Sequence, residues 1–122
     1  MRIAIAAETD HGLDGPTSSH FGQAAHFVLV DCEGGQIMDS RSVPNPFAGA
    51  HKHGQIPRFL KQEGIDAVLS GGMGAGAIAM FQRLGVTPVT GASGTVREAI
   101  ERHLAGSLTG AAPCAESVSH HH

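Results

Sequence analysis

The stretch IDAVLSGGMGAGAIAMFQRLGVTPVT, residues 65–90, decides how this chain folds. Ile65 to Leu69 is a short apolar run bounded by turn residues, which predicts a buried strand. Ser70-Gly71-Gly72-Met73-Gly74 reads as a loop, Ala75 to Arg83 as a short Ala-rich helix, and Val86 to Thr90 as a second strand. Strand, helix and strand in this order form a crossover unit, and such units build parallel sheets with right-handed connections. Downstream, Gly91-Ala92-Ser93-Gly94 is a loop. Thr95-Val96-Arg97-Glu98 then has the spacing of a capping box, with Thr95 as N-cap and Glu98 reaching back. Val96, Ala99, Ile100, His103 and Leu104 fall on one helical face, and Gly106 ends that helix.

Upstream of residue 65 the pattern changes. Ile56, Phe59 and Leu60 mark one face of a helix from about Gln55 to Gly64, with Pro57 in its first turn. Arg2 to Ala7 predicts a buried strand, Glu8 to Ser19 a loop, and His26 to Cys32 a second strand. Glu33-Gly34-Gly35 signals a hairpin turn, so Gln36 to Val43 continues as an antiparallel third strand. Pro44-Asn45-Pro46 ends it, because proline cannot donate to a ladder. The element order is therefore β-β-β-α-β-α-β-α, an α/β chain whose first part is antiparallel and whose second part is a βαβα unit. The loops after Ala7, Leu69 and Thr90 are expected at one sheet edge, where open α/β sheets bind ligands.

Composition narrows the function. The chain has 122 residues, enough for one domain with one core. Tyr and Trp are absent, so Ile, Val, Leu, Ala and five Phe must build that core. The formal charge of −3, with eight scattered Lys and Arg, lacks the basic patch of a nucleic-acid binder. No apolar stretch reaches the roughly 18 residues of a membrane span, and Met1 to Ala7 is too short for a signal peptide. Cys32 and Cys114 form no disulfide framework, so a cytoplasmic location is expected. After Leu108 the pattern fades, which divides the chain into a domain over residues 1–108 and a small polar tail over 109–122. His120-His121-His122 reads either as metal-binding sequence or as the remnant of an engineered tag.

Candidate chemistry sits in loops. Ser19-His20-Phe21-Gly22 closes the loop after the first strand and brings an imidazole to the ligand edge; the plainer reading is a histidine that hydrogen-bonds a loop carbonyl. His51 and His53 flank Lys52 just before a helix start, where residues i and i+2 point the same way in extended chain. The helix dipole there keeps imidazole neutral and attracts anions; the plainer reading is a solvated loop. Gly71-Gly72-Met73-Gly74 joins strand to helix, its glycines allowing backbone N–H groups to cradle an anion and Met73 offering a soft thioether; close helix–sheet packing explains part of the same run. Gly74 to Ala79 formally matches a dinucleotide fingerprint, yet the following strand ends in Thr90-Gly91 and not in an acidic residue. Glu8, Asp10 and Asp14 suit a hard cation or plain solvation. No G-x-S-x-G elbow is present and no acid–base pair stands out.

Three motifs occur together and in order: Ser19-His20-Phe21-Gly22, Gly71-Gly72-Met73-Gly74, and Gly91-Ala92-Ser93-Gly94-Thr95-Val96-Arg97-Glu98-Ala99. In this they resemble the dinitrogenase iron-molybdenum cofactor biosynthesis family, from Met1 to about Leu108. The resemblance implies a ribonuclease-H-like three-layer α/β fold with a mixed five-stranded sheet. It also implies non-catalytic binding or carriage of a metal–sulfur cluster, iron-molybdenum or iron-sulfur in type, in a nitrogen-fixation-related setting. His20 becomes the first candidate metal ligand, with His51 and His53 next. Ser19, Phe21, Gly22 and the Gly71 to Gly74 loop would contact the cluster. Cys114 echoes the cysteine- and histidine-rich tails of the family only faintly. The implied partners are the cluster and cluster-assembly proteins, with no nucleic acid or membrane, and the chain is expected as a monomer or weak homo-oligomer. Two other readings remain: a nucleotide- or anion-binding regulatory domain using the glycine loops, and a protein-interaction scaffold.

Overall fold

The computed structural model describes residues 1–47 and 54–113. His51, His53, Cys114 and His120 to His122 lie outside the described residues. Five strands, β1 (Arg2–Ala7), β2 (His26–Glu33), β3 (Gln36–Pro44), β4 (Ala67–Leu69) and β5 (Thr87–Val89), form one mixed sheet in the order β3-β2-β1-β4-β5. β1 is antiparallel to β2 and parallel to β4, and β4 is parallel to β5. Three helices, α1 (Gln55–Gln62), α2 (Ala75–Arg83) and α3 (Val96–Leu104), complete the α/β fold. No helix among the described residues is long and apolar enough to cross a membrane.

The alternation of β1 divides the core into two layers. Ala4 and Ala6 face one side, where Ile56 and Leu60 of α1 and Ile78 and Phe81 of α2 pack. Ile3, Ile5 and Ala7 face the other side, against Val96, Ala99 and Ile100 of α3. The small side chains of Ala4 and Ala6 leave room for three aromatics. Phe21 lies 5.5 Å from Phe27 and 5.3 Å from Phe81 between ring centroids. Each fully buried phenyl ring contributes roughly 1.5–3 kcal/mol by removal from water.

Local chemistry sets the element ends. Gly34 and Gly35 both have positive φ, +59° and +77°, as a two-residue hairpin turn of the primed type requires. Met38 is an extra residue opposite the Asp31/Cys32 step, which puts a bulge on the edge strand β3. The capping box of α3 is complete, with Thr95 Oγ1 accepting from Glu98 N and Glu98 Oε1 from Thr95 N. After α2 and α3, Gly85 and Gly106 take left-handed φ and close paired C-terminal turns.

Some boundaries differ from expectation. β4 starts at Ala67 because Asp66 is occupied with Arg2, accepting its backbone N–H at 2.8 Å. Ile65 and Val86 instead bury into the α1/α2 layer. The loop after β1 is more ordered than its composition suggests, holding a 3-10 turn at Gly12–Asp14 and bridges from Thr17 to Ala7 and from Pro16 to Thr95. Chain contacts also run past Leu108: Thr90 N donates to Gly110 O, and Ala112 N donates to Thr90 Oγ1.

Candidate functional site: a knot of three loops at the sheet edge

Parallel β1, β4 and β5 deliver three loops to the same edge, and hydrogen bonds tie them together. Ser18 N donates to Ala6 O at 2.8 Å, and Gly71 N donates to Ser18 O at 2.9 Å. Gly91 N donates to Gly71 O, and Ala92 N to Ser70 O. Thr17 N and Thr17 Oγ1 both donate to Gly94 O. Phe21 N donates to Gly72 O at 3.0 Å, fixing the histidine-bearing loop against the glycine loop.

Two buried serines shape these loops by the same device. Ser18 Oγ donates to His20 O and accepts from His20 N, and Ser70 Oγ donates to Gly72 O. Each hydroxyl thus bonds backbone two residues ahead and turns the chain tightly. Neither serine stands out among the motif residues. The available signal is a Ser ahead of Ser-His in one loop and ahead of Gly-Gly in the other, each just past a buried strand or its extension.

Gly71 is the point of closest approach. A Cβ there would stand 2.9 Å from Ser18 O, 2.9 Å from Ser19 Cα and 3.2 Å from Ala92 O, all backbone. Only glycine lets the three loops meet.

His20 is exposed, and its ring makes no hydrogen bond to any described residue. It borders a depression of about 180 Å³, with Gly22 and Gln23 beside it and Gly72, Met73 and Gly74 opposite. The structure therefore brings His20, Phe21, Gly22, Gly72, Met73 and Gly74 to one place. Their roles differ. The Phe21 ring sits in the core, and Met73 is 1% exposed, so each forms wall and not an open donor. Ser19 faces a separate open groove with Asp14, Thr17, Ser93 and Glu98. Gly71 is structural by its contacts.

Electrostatics sort the remaining candidates. Burial pushes the Cys32 thiol up, which suits an inert core residue. Hydrogen bonds from the Thr95 backbone and side chain hold Glu98 below the usual carboxylate range, so its charge serves the helix start. Among the described residues no three His, Cys, Asp or Glu side chains converge as a metal site, and Asp14 lies 3.8 Å from Arg97 instead. Gly74 is the N-cap of α2 and Gly76 lies in its first turn.

Known proteins share this architecture. The chain is 38% identical to PH0822 as seen in its crystal structure, with a TM-score of 0.80 over 89% of this chain and 95% of that one. It is 34% identical to the apo form of the orange protein from Desulfovibrio gigas, with a TM-score of 0.81 over 92% and 93%. An uncharacterized protein of Methanocaldococcus jannaschii is 26% identical over 110 residues, 88% of this chain and 89% of the relative. The sequence profile described as dinitrogenase iron-molybdenum cofactor matches residues 1–106, and the chain belongs to that family.

Proposed function

We propose that this chain binds and carries a metal–sulfur cluster or its precursor, of the iron-molybdenum-cofactor or iron-sulfur type, and catalyses no reaction on it. The observation that carries the reading is His20: an exposed imidazole without a hydrogen-bond partner among the described residues, above a glycine-walled depression on the ligand edge of the sheet. Sulfide-bridged clusters are soft and anionic. They take an imidazole at an open metal position and hydrogen bonds to their sulfurs. Family membership supports the same theme, and so does the likeness to the apo form of the orange protein.

In this reading His20 is the first metal ligand, and His51 and His53 join it from the segment before α1. Phe21 and Gly22 form one wall and Gly72 to Gly74 the other, and Ser19 and Gly71 support them from the adjoining loop backbone. Residues 1–108 act as the functional domain with a ribonuclease-H-like fold. The cargo passes to and from cluster-assembly proteins in the cytoplasm, with the chain a monomer or weak homo-oligomer. The fold itself gives no reason to assign nuclease activity.

The test is the visible spectrum and elemental analysis of protein purified anaerobically without His120 to His122. Visible charge-transfer bands with near-stoichiometric metal and sulfide are expected. A colourless, metal-free protein that also resists reconstitution overturns the reading.

A further inference from the structure

β3 is one edge of the sheet, and among the described residues no strand pairs with its outer side. Asn45 N donates to Ala25 O at 3.0 Å, which fixes the alternation along the strand. Asp39, Arg41 and Val43 therefore turn their peptide groups toward β2, and Ser40 and Ser42 turn theirs outward. Pro44, which has no N–H, also falls on the outward side, where no ladder needs one. The outward Ser40 N–H donates to Asp39 Oδ1 at 2.9 Å, a side chain standing in for the missing strand. Asp39 and Arg41 share the face turned to α1, since they oppose Asp31 and Leu29 of β2. Both are exposed. Asp39 has no ion-pair partner among the described residues, and it lies opposite another carboxylate, Asp31, an unfavourable placement within one sheet.

We propose that this edge is a homodimer interface, in which β3 pairs antiparallel with β3 of a second copy about a two-fold axis at Ser40 and the two sheets become continuous. Pairing about Ser40 sets Asp39 of each copy opposite Arg41 of the other, two opposite-charge pairs at once. Ser40 and Ser42 supply the outward peptide groups of the new ladder, so Asp39 and Arg41 fall at its non-hydrogen-bonded positions, where side chains stand closest. A two-fold at Asp39 or at Arg41 instead sets like charges face to face, so charge selects the Ser40 register. Met38, 60% exposed, comes opposite Ser42 of the second copy and loses contact with water. The bulge at Met38 and the proline at position 44 confine the ladder to a few residues, which makes the dimer weak and reversible. The other edge strand, β5, is three residues long with Pro88 at its centre, so it offers no second ladder and the assembly closes at two copies. The two-fold points the loop knots of the copies in opposite directions and leaves both His20 depressions open.

A dissociation constant on the order of 0.1 mM suits so short a ladder. The experiment is sedimentation velocity of the full chain from about a tenth of that concentration to about ten times it. Asp39→Arg, Arg41→Asp and an equimolar mixture of the two variants are run beside wild type. Each variant alone meets like charges across the two-fold and should associate at least about tenfold more weakly than wild type. The mixture restores opposite charge at both positions and should recover wild-type association. High salt should weaken the wild-type dimer, because its ion pairs are exposed. In amide spectra, the Ser40 and Ser42 signals should move with concentration, while those of Arg41 and Val43, bonded to β2, hold nearly still. A wild type that stays monomeric to about 1 mM overturns the interface. So does a mixture that associates no better than its components, or association that Asp39→Arg leaves unchanged. Cluster loading of Asp39→Arg should equal that of wild type, since the interface lies away from the loop knot, so failure of the dimer leaves the carrier reading standing and failure of the carrier reading leaves the dimer.

Discussion

Replacing Gly71 with alanine should unpick the loop knot without altering any candidate metal ligand. The new methyl group would meet three backbone atoms at 2.9, 2.9 and 3.2 Å, and none of them belongs to a side chain that can swing away. Relief requires moving the Ser18-Ser19 segment or the Ala92 segment, each of which is pinned to Gly71 or Ser70 by hydrogen bonds near 3 Å. Overpacking of this kind costs about 1–3 kcal/mol. For a domain of this size each kcal/mol lowers Tm by roughly 3–6 °C, so a fall of roughly 3–18 °C is expected. Thermal denaturation followed by circular dichroism gives the shift. Amide spectra should show displaced signals for Ser18, Ser19, Gly91 and Ala92, and cargo binding should fall because His20 rides on the moved loop. A variant with Tm within about 1 °C of wild type and unmoved Ser18 and Ala92 amides would refute the claim that Gly71 is where the loops lock.

Other substitutions separate packing from binding. Phe21→Ala removes a ring 4% exposed that touches Phe27 and Phe81, and should cost about 3–5 kcal/mol in urea denaturation, while Phe21→Leu should cost much less. Thr95→Ala deletes the N-cap of α3 and should cost about 1 kcal/mol by the same assay. The Glu98 carboxyl is held down by its Thr95 hydrogen bonds, so its contribution is present above the unfolded carboxylate range and fades as pH falls through the lower folded value. A urea series at stepped pH should lose part of its acid-side slope in Glu98→Gln. Asp31 is likewise held down, first by its hydrogen bond from Arg2, and its titration by carbon-detected NMR should move back toward the ordinary range in Arg2→Ala.

Features written in a few adjacent residues were readable from the sequence. The Gly34-Gly35 turn, the Thr95–Glu98 capping box and the order of strands and helices all follow from short-range chemistry. The strand–helix–strand unit at residues 65–90 correctly sends the glycine loop to the sheet edge shared with β1. What could not be read depends on contacts distant in sequence. Thr17 meets Gly94 across 77 residues, and no local pattern announces it. Phe21 and Met73 look like ligand-loop residues in one dimension, yet the small Ala4 and Ala6 opposite leave a hollow that draws both into the core. The Ser18 and Ser70 hydroxyls read as ordinary loop polarity in the sequence, because their backbone partners two residues ahead come within reach only in the folded turn.

The His20 imidazole, in the proposed role, holds cargo, while the His20 backbone alone serves the loop. The most direct measurement is metal and sulfide stoichiometry after anaerobic reconstitution with iron, molybdate and sulfide, comparing protein lacking His120 to His122 with its His20→Ala variant. His20 is exposed and its ring is unbonded to described residues, so the variant should unfold within about 0.5 kcal/mol of wild type. Near-stoichiometric cluster on wild type and a large loss on the equally stable variant are expected. Equal loading of the two proteins would contradict cargo binding at His20.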